Sequence, residues 1–508
     1  MTYIILSFIG LFFALWILHD IIQKKHSVIR NFPIIGHLRF WLEAIGPEFR
    51  QYIVTNNNEE RPFSRDQRRW IYASSKGENN YFGFGTDMDL EMESNYLIIK
   101  HSAFPFTDKE NGHNDHLYSI PCAKVIGKAR NRAKAFRPNS IINVSAMSFG
   151  SLSSNAIEAI NKGVKEAKCL HNTGEGGVSP YHKHGGELIM QIGTSYFGCR
   201  DGDGRFNMEN LKEAISTAPV RALEVKLSQG AKPAKGGILP ASKITKEIAE
   251  IRGVPMGQDC ISPPTHREFQ DVDGLLDFVE RLASETGLPV GIKSAVGEIS
   301  FWEDLASKME SGTRGVDFIT IDGGEGGSGA APLAFSDHVS LPFKLGMSQI
   351  YPIFVKKNLA DKIVFIGSGR LGFPDNSLIA FALGCDMVNV AREAMISLGC
   401  IQAQRCHTGI CPSGVATQNR WLKRGLDPDL KAGRMAKYII TLRKEILQLA
   451  HACGVCHPAL ISDKQLVYLD GNFGNSTIKK KFGYLEDWGY PSSEDQKIIK
   501  DIMNGSSH

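Results

Sequence analysis

The segment GCIQAQRCHTGICPSGVATQ, residues 399–418, places Cys400, Cys406 and Cys411 within twelve positions of a 508-residue chain that has ten cysteines in all. Thiolates bind soft metals, so the first question is whether these three can face one centre. Spacings of six and five residues would turn them to different faces of a regular helix. They converge only where the chain wraps around something, which the Gly409 turn and the break at Pro412 permit. Structural zinc sites use cysteines roughly two to four residues apart with a fourth ligand, a spacing absent here. Iron–sulfur centres accept looser spacings, often with a proline just after a cysteine. The competing reading is three small buried hydrophobes, a common fate of cysteine. CGVCH at Cys453–His457 has the form of a c-type haem attachment site. It follows the amphipathic run Tyr438–Leu449, so a packed helix end is the expected structure.

Such residues need elements to position them. From about residue 140, short β-branched runs alternate with segments of helical period. The runs are Ile141–Met147, Ala222–Leu227, Pro289–Ser294, Asp317–Asp322, Lys362–Gly369 and Asp386–Ala391. Between them Ser153–Ala167, Lys243–Arg252, Asp273–Thr286, Trp302–Ser311 and Asp375–Leu383 space their apolar residues as amphipathic helices do. This alternation predicts a parallel sheet with crossover helices. The runs end in SFGSLS, SQGAKPAKGG, AVGE, GGEGGSGAAP and SGRLG. Glycine, at 51 residues, is about 10% of the chain against an average near 7%. An open doubly wound sheet concentrates glycine in its first turn. Glycines spread over five turns predict instead an α/β fold of the (β/α)8 TIM-barrel type, with these turns on its active face.

A hydrophobic share of 42% with 22% charge predicts a sizeable core. A net charge of +4 without a basic stripe argues against a nucleic-acid partner. Met1–Leu18, MTYIILSFIGLFFALWIL, is uncharged and just long enough to cross a bilayer. It lacks the basic start and small-residue cleavage site of a signal peptide, and is too uniformly apolar for an ordinary core helix. Lys24, Lys25 and Arg30 follow it, so the positive-inside rule predicts a single-pass membrane protein whose remainder is cytoplasmic. Dilute cysteines, read as reduced thiols, agree. The expected organisation is a transmembrane anchor over 1–22, a connecting region over 23–90, a barrel over 91–460 carrying the cysteine loop 399–418, and a peripheral tail over 461–508.

The cysteine segment resembles the iron–sulfur segment of the glutamate synthase family, whose three cysteines share this spacing and hold a 3Fe-4S cluster. The likeness continues through SAMSFGSLS, NTGEGG, QGAKPAKGG, IAEIRGVPMGQDCISPPTH, DGGEGGSGAAP and GSGRLG, in the family's order across roughly residues 120–425. It covers the family's flavin-binding synthase domain, and neither the glutaminase domain nor the β-helix domain is matched. The resemblance implies FMN and a 3Fe-4S cluster as cofactors, the latter on Cys400, Cys406 and Cys411. Ala146, Met147 and Ser148 would meet the flavin ring, with Gln229 and Lys293 at its polar edge. A cation there stabilises anionic reduced flavin, although a snorkelling lysine is the plain alternative for Lys293. Gly367, Ser368, Gly369 and Arg370, with Ala391 and Arg392, fit the phosphate position in the late loops of a barrel. Without the resemblance, GSGR is only a turn.

On the substrate side the resemblance assigns Glu175, Lys232 and Arg252 to a 2-oxoglutarate-like acid, with Glu175 and Lys232 as the catalytic pair. A guanidinium fork and an ammonium suit a dicarboxylate, while Arg252 could instead cap its own helix. The family's KPGEGGQLP reads KPAKGGILP here, so Lys235 and Ile238 depart from the pattern. The implied activity is oxidoreduction at a CH–NH2 group, the reductive amination of a 2-oxo acid through a 2-imino acid. Ammonia would be free, come from an amidotransferase subunit, or be replaced by an alkylamine. A ferredoxin-like protein or reductase subunit would deliver electrons. The alternative is an electron-transfer component docking to a membrane partner.

Overall fold

The β-branched runs close into a barrel in the computed structural model, which describes residues 2–107 and 116–505. Its strands, β1 to β8, are Ile142–Val144, Leu170–Asn172, Glu187–Ile192, Val220–Lys226, Val290–Ser294, Phe318–Asp322, Val364–Ser368 and Met387–Val390. Each pairs in parallel with its neighbours in sequence, and β8 pairs with β1. The closed ring excludes an open doubly wound sheet. Six strands coincide with the expected runs; β2 and β3 are additional. Parallel closure puts every strand's C-terminal end on one rim, where the glycine-rich turns follow.

Side chains alternate across a strand, so the barrel interior reads in layers. Leu170, Ile189, Ala222, Phe318, Val364, Ile366 and Met387 form an apolar floor, closed by Cys122, Ile126 and Phe136. Two residues beyond this floor on β2, β3, β4 and β6 the interior turns polar. Glu224, 1% exposed, accepts hydrogen bonds of 2.7 Å from Asn172 Nδ2, Gln191 Nε2 and Thr320 Oγ1. Another two residues along, Lys226 and Asp322 reach the rim.

The outer layer follows from amphipathic patterning and caps. Ser154–Ala167 starts where Ser153 accepts a hydrogen bond from the Ala156 amide. It buries Ile157, Ile160 and Val164 and packs on the long helix Pro428–Ala452. The segment expected as a peripheral tail is folded into the same compact unit. Leu466–Asp470 pairs antiparallel with Ser94–Ile99. Tyr484 stacks on Tyr351 and donates to the Leu383 carbonyl at 3.0 Å.

The chain divides into two compact units between Trp70 and Ile71. In the first, the helix Thr2–Ile22 is followed by short helix Ser27–Asn31, helix Gly36–Phe49 and a π-helical turn, Arg50–Val54. Tyr3–Ile22 is long and apolar enough to cross a membrane.

Glu224→Ala should strand three buried donors and destabilise the barrel by about 3 kcal/mol or more. Glu224→Gln, which keeps one acceptor oxygen, should cost less. Urea unfolding of the three proteins checks the order.

Candidate active site

Four charged groups meet at the rim, Lys226, Lys232 and Arg252 buried and Glu175 partly so. Glu175 lies in the turn Gly174–Gly176 after β2. Its Oε2 is 3.1 Å from Lys226 Nζ at the end of β4, and the same ammonium donates to Gln229 Oε1 at 2.7 Å. Lys232 is buried in the following loop and donates to the Gly236 carbonyl at 2.8 Å. Arg252 is buried at the end of helix Lys246–Arg252. Gly230 and Gly237 permit this crowding: a Cβ on the first would overlap the Gly323 carbonyl, and on the second Glu175 Oε1.

The charges do not balance. Burial pushes the Glu175 carboxyl up, but Lys226, then Lys232 and Arg252, outweigh it and hold the group below its ordinary range. Burial, with Lys226 as a like charge, pulls Lys232 down to about 8, against the pull of Glu175. Burial also lowers Arg252. Three cations thus surround one carboxylate, and the uncompensated positive charge favours an anionic ligand.

Arg252 does not cap its own helix. Gly253, in the left-handed conformation at φ 62°, ends that helix. The guanidinium instead donates to the Phe149 carbonyl at 3.0 Å and to Ser148 Oγ at 3.3 Å. This joins it to the loop after β1 that carries Ala146, in which Met147 and Ser148 lie beside Gly174, and Ser148 beside Gly176.

Beside Lys226 in register, Lys293 on β5 is buried, its Nζ 3.4 Å from Asp322 Oδ2 on β6. Burial alone would lower this lysine, but Asp322 and then Glu224 raise it, which keeps the ammonium charged. Asp322 is fixed in turn by the Gly230 amide at 3.0 Å. β7 ends in Gly367 and Ser368, and the backbone then turns at Gly369, φ 148°, and Arg370, φ 53°. Ala391 and Arg392 follow β8, yet the Arg392 guanidinium donates to the Glu325 carbonyl in the loop after β6. It therefore braces that loop.

Lys235 stands at the edge of this cluster as a like charge to Lys232, and Ile238 lies outside it. Lys235 sits over the Phe335 ring at 5.7 Å. Ile238 is paired with Ile261 in a short antiparallel ribbon, with Leu239 opposite Cys260. Leu239 faces Gly150 and Cys260 is beside Arg252, so alternation turns Ile238 and the exposed Ile261 to the other face.

The cysteine loop has no regular structure over residues 400–419. Tyr72 Oη donates to the Cys400 carbonyl at 2.7 Å. Lys243, buried, donates to the carbonyls of Cys406 at 2.6 Å and Ala416 at 3.4 Å. Burial raises the Cys411 thiol, but the amides of Ala416, Ser413 and Val415 and the Ser413 hydroxyl bring it below its ordinary value. Burial and the neighbouring Cys411 raise Cys406. The ionisable groups set against Lys243 are these two thiols. Among the described residues, no three His, Cys, Asp or Glu side chains stand together as a metal-ligand set. The donors nevertheless suit an anionic sulfur centre, since a buried ammonium and convergent amides oppose negative charge at Cys406 and Cys411.

CGVCH is a packed helix end. Cys453 caps the helix Pro428–Ala452. His457 is buried with both ring nitrogens engaged, Nε2 at 3.0 Å from the Pro121 carbonyl and Nδ1 accepting from the Ala459 amide at 3.1 Å.

Three functional candidates come only with the structure: Lys226, Asp322 and Lys243. The first two stand at or next to the C-terminal ends of predicted strands, and that position was the available signal.

A family profile described as "Conserved region in glutamate synthase" matches residues 92–456. The chain is 37% identical over 488 residues to the glutamate synthase large subunit-like protein YerD of Bacillus subtilis, covering 89% of this chain and 92% of that protein. It is 35% identical over 342 residues to an archaeal glutamate synthase [NADPH] of Methanocaldococcus jannaschii, covering 65% of this chain and 63% of the relative. Against the glutamate synthase [NADPH] large chain of Bacillus subtilis identity is 31% over 325 residues, which is 20% of that longer protein.

Lys243→Met removes the buried charge and both hydrogen bonds that staple the cysteine loop. Backbone amides over 399–418 should exchange about tenfold faster, the loss of roughly one to two hydrogen bonds. Hydrogen-exchange mass spectrometry should show little change in the barrel strands.

Proposed function

The chain belongs to the glutamate synthase family, and on that premise we propose that it is an FMN- and iron–sulfur-dependent oxidoreductase of the glutamate synthase type. It would aminate a 2-oxo acid resembling 2-oxoglutarate through a 2-imino acid. The observation that carries this reading is the excess of buried cations around Glu175, next to a separately compensated cation at Lys293. Condensation of the oxo acid with ammonia or an amine releases water, and the imine then needs two electrons and two protons.

Arg252 and Lys232 would bind the carboxylates, the first as a fork and the second as a point charge. Ionised Glu175 can orient the nitrogen and take a proton from it at Oε1 or Oε2. Lys226 holds Glu175 in place and ionised. When bound, FMN would supply hydride chemistry and a 3Fe-4S cluster would supply electrons singly. The ring would lie against Ala146, Met147 and Ser148, with Gln229 and Lys293 at its polar edge and Lys293 opposing negative charge there. The turn Gly367–Arg370 with Ala391 would hold the phosphate, and Arg392 would support the loop beside it. Cys400, Cys406 and Cys411 would be the cluster ligands, which the environment of Cys411 and Lys243 supports.

A ferredoxin-like or reductase partner fits electron entry at the cysteine loop. The apolar helix followed by Lys24, Lys25 and Arg30 supports an anchor over 1–22 with residues 91–460 as a cytoplasmic catalytic barrel.

Anaerobically purified protein should contain FMN, iron and acid-labile sulfide, and Cys406→Ala should lose iron while keeping flavin. Absence of both cofactors from the parent protein overturns the reading. Arg252→Ala should weaken oxo-acid binding about 10- to 100-fold, in line with a charge-assisted pair, with flavin content unchanged. Flavin reduction without turnover of any oxo acid and amine would instead favour the electron-transfer component.

Lys232 is cationic below its value of about 8. Oxo-acid affinity is therefore expected to be full below pH 7 and to fall as pH rises through about 8. Difference spectra of the flavin titrated with oxo acid measure this, and Lys232→Arg should move the fall to higher pH.

A further inference from the structure

We infer that residues 35–54 form a second membrane element, an amphipathic helix lying in the cytoplasmic lipid interface beside the spanning helix. This rests on the anchor reading above and adds to it a surface and an orientation.

The first observation is a stripe of large apolar side chains. Leu38, Trp41, Leu42, Phe49, Tyr52 and Ile53 are 48–68% exposed. Their positions repeat at three and four residues through the helix Gly36–Phe49 and the turn Arg50–Val54. At 100° per residue they share one side. Arg39, Glu43 and Arg50 fall on another side, where Arg39 Nε pairs with Glu43 Oε1 at 2.9 Å. A continuous exposed stripe of this size is unusual on a water-facing surface and marks an interaction site.

The second observation sets its depth. Asp20, fully buried near the end of helix Thr2–Ile22, accepts from the Ile34 amide at 2.9 Å and lies 3.0 Å from His37 Nε2. Trp16 Nε1 is 3.3 Å from the same His37 nitrogen. The start of the second helix is thereby tied to the first at Trp16–Asp20. Trp16 lies six residues before the end of the first helix, about 9 Å of rise. Interfacial helices bury their apolar face to a depth of roughly 5–10 Å. A spanning first helix thus brings the second to the boundary between headgroups and acyl chains.

The third observation is charge. Lys24, Lys25 and Arg30 are exposed in the connection between the helices, and Arg39 and Arg50 flank the stripe. Acidic groups near it are fewer, Glu43 and Glu48, and since Glu43 pairs with Arg39, Lys24, Lys25, Arg30 and Arg50 stand against Glu48. Basic flanks around Trp and Tyr suit anionic headgroups on a cytoplasmic leaflet.

The test uses the full chain in vesicles of phosphatidylcholine and phosphatidylglycerol, with p-cyanophenylalanine replacing Phe49 or, as control, Glu43. Lipids brominated near the glycerol end should quench the Phe49 probe roughly twofold and spare the Glu43 probe, as partial burial of one face requires. A Phe49 probe that bromine leaves unquenched and aqueous iodide quenches, in protein that resists alkaline carbonate extraction, overturns the second element and leaves the anchor intact. Carbonate-extractable protein with an unquenched Phe49 probe overturns both. Extractable protein whose Phe49 probe is quenched before extraction supports the surface helix and removes the spanning one.

Discussion

A carboxylate enclosed in a β-barrel survives only if its oxygens are fully occupied, and much of this structure follows from how Glu224 meets that condition. Its donors come from three other strands, β2, β3 and β6. The register of each strand is therefore fixed relative to β4, because a one-residue slip would carry the donor to the outer face. With registers fixed, the residue two places beyond Glu224 is Lys226 and the residue two beyond Thr320 is Asp322. The polar middle of the barrel thus aims the charges of its rim.

The same layering explains what could be read from sequence. Six strands are legible because their outward residues, such as Leu223 and Val225 on β4 or Ile319 and Ile321 on β6, are apolar even where the inward layer is polar. β2 is only Leu-His-Asn, and its inward residue at the polar layer is Asn172. β3 carries Gln191 at that layer. Three residues are too few to show a period of two, and the polar layer adds no apolar signal, although Asn172 and Gln191 are themselves buried. Glycine distribution, which reports the turns, identified the barrel where strand patterning was incomplete.

At the site, residue types were legible and partnerships were not. Glu175, Lys232 and Arg252 do converge, and the sequence order of their motifs carried that. Lys226 was visible only as part of a strand, since its link to Glu175 joins residues 51 positions apart. Arg392 carried a motif reading toward the phosphate turn, while its guanidinium reaches the Glu325 backbone in the loop after β6. Long flexible cations choose among several oxygens within reach, and sequence does not rank them.

The departures at Lys235 and Ile238 bear on which part of the pocket can vary. The anion-attracting core is Glu175 with Lys226, Lys232 and Arg252, held by strand ends and by backbone carbonyls of neighbouring loops. Ile238 is turned to the opposite face of its ribbon, and Lys235 rests over Phe335. Replacing a polar side chain by isoleucine there leaves the charge balance around Glu175 as it stands. Lys235 adds a like charge that helps depress Lys232, which sharpens the demand for an anion. The sequence differences therefore alter the rim of the pocket and strengthen its preference for an anion, while the positions that hold Glu175, Lys226 and Arg252 are untouched by them.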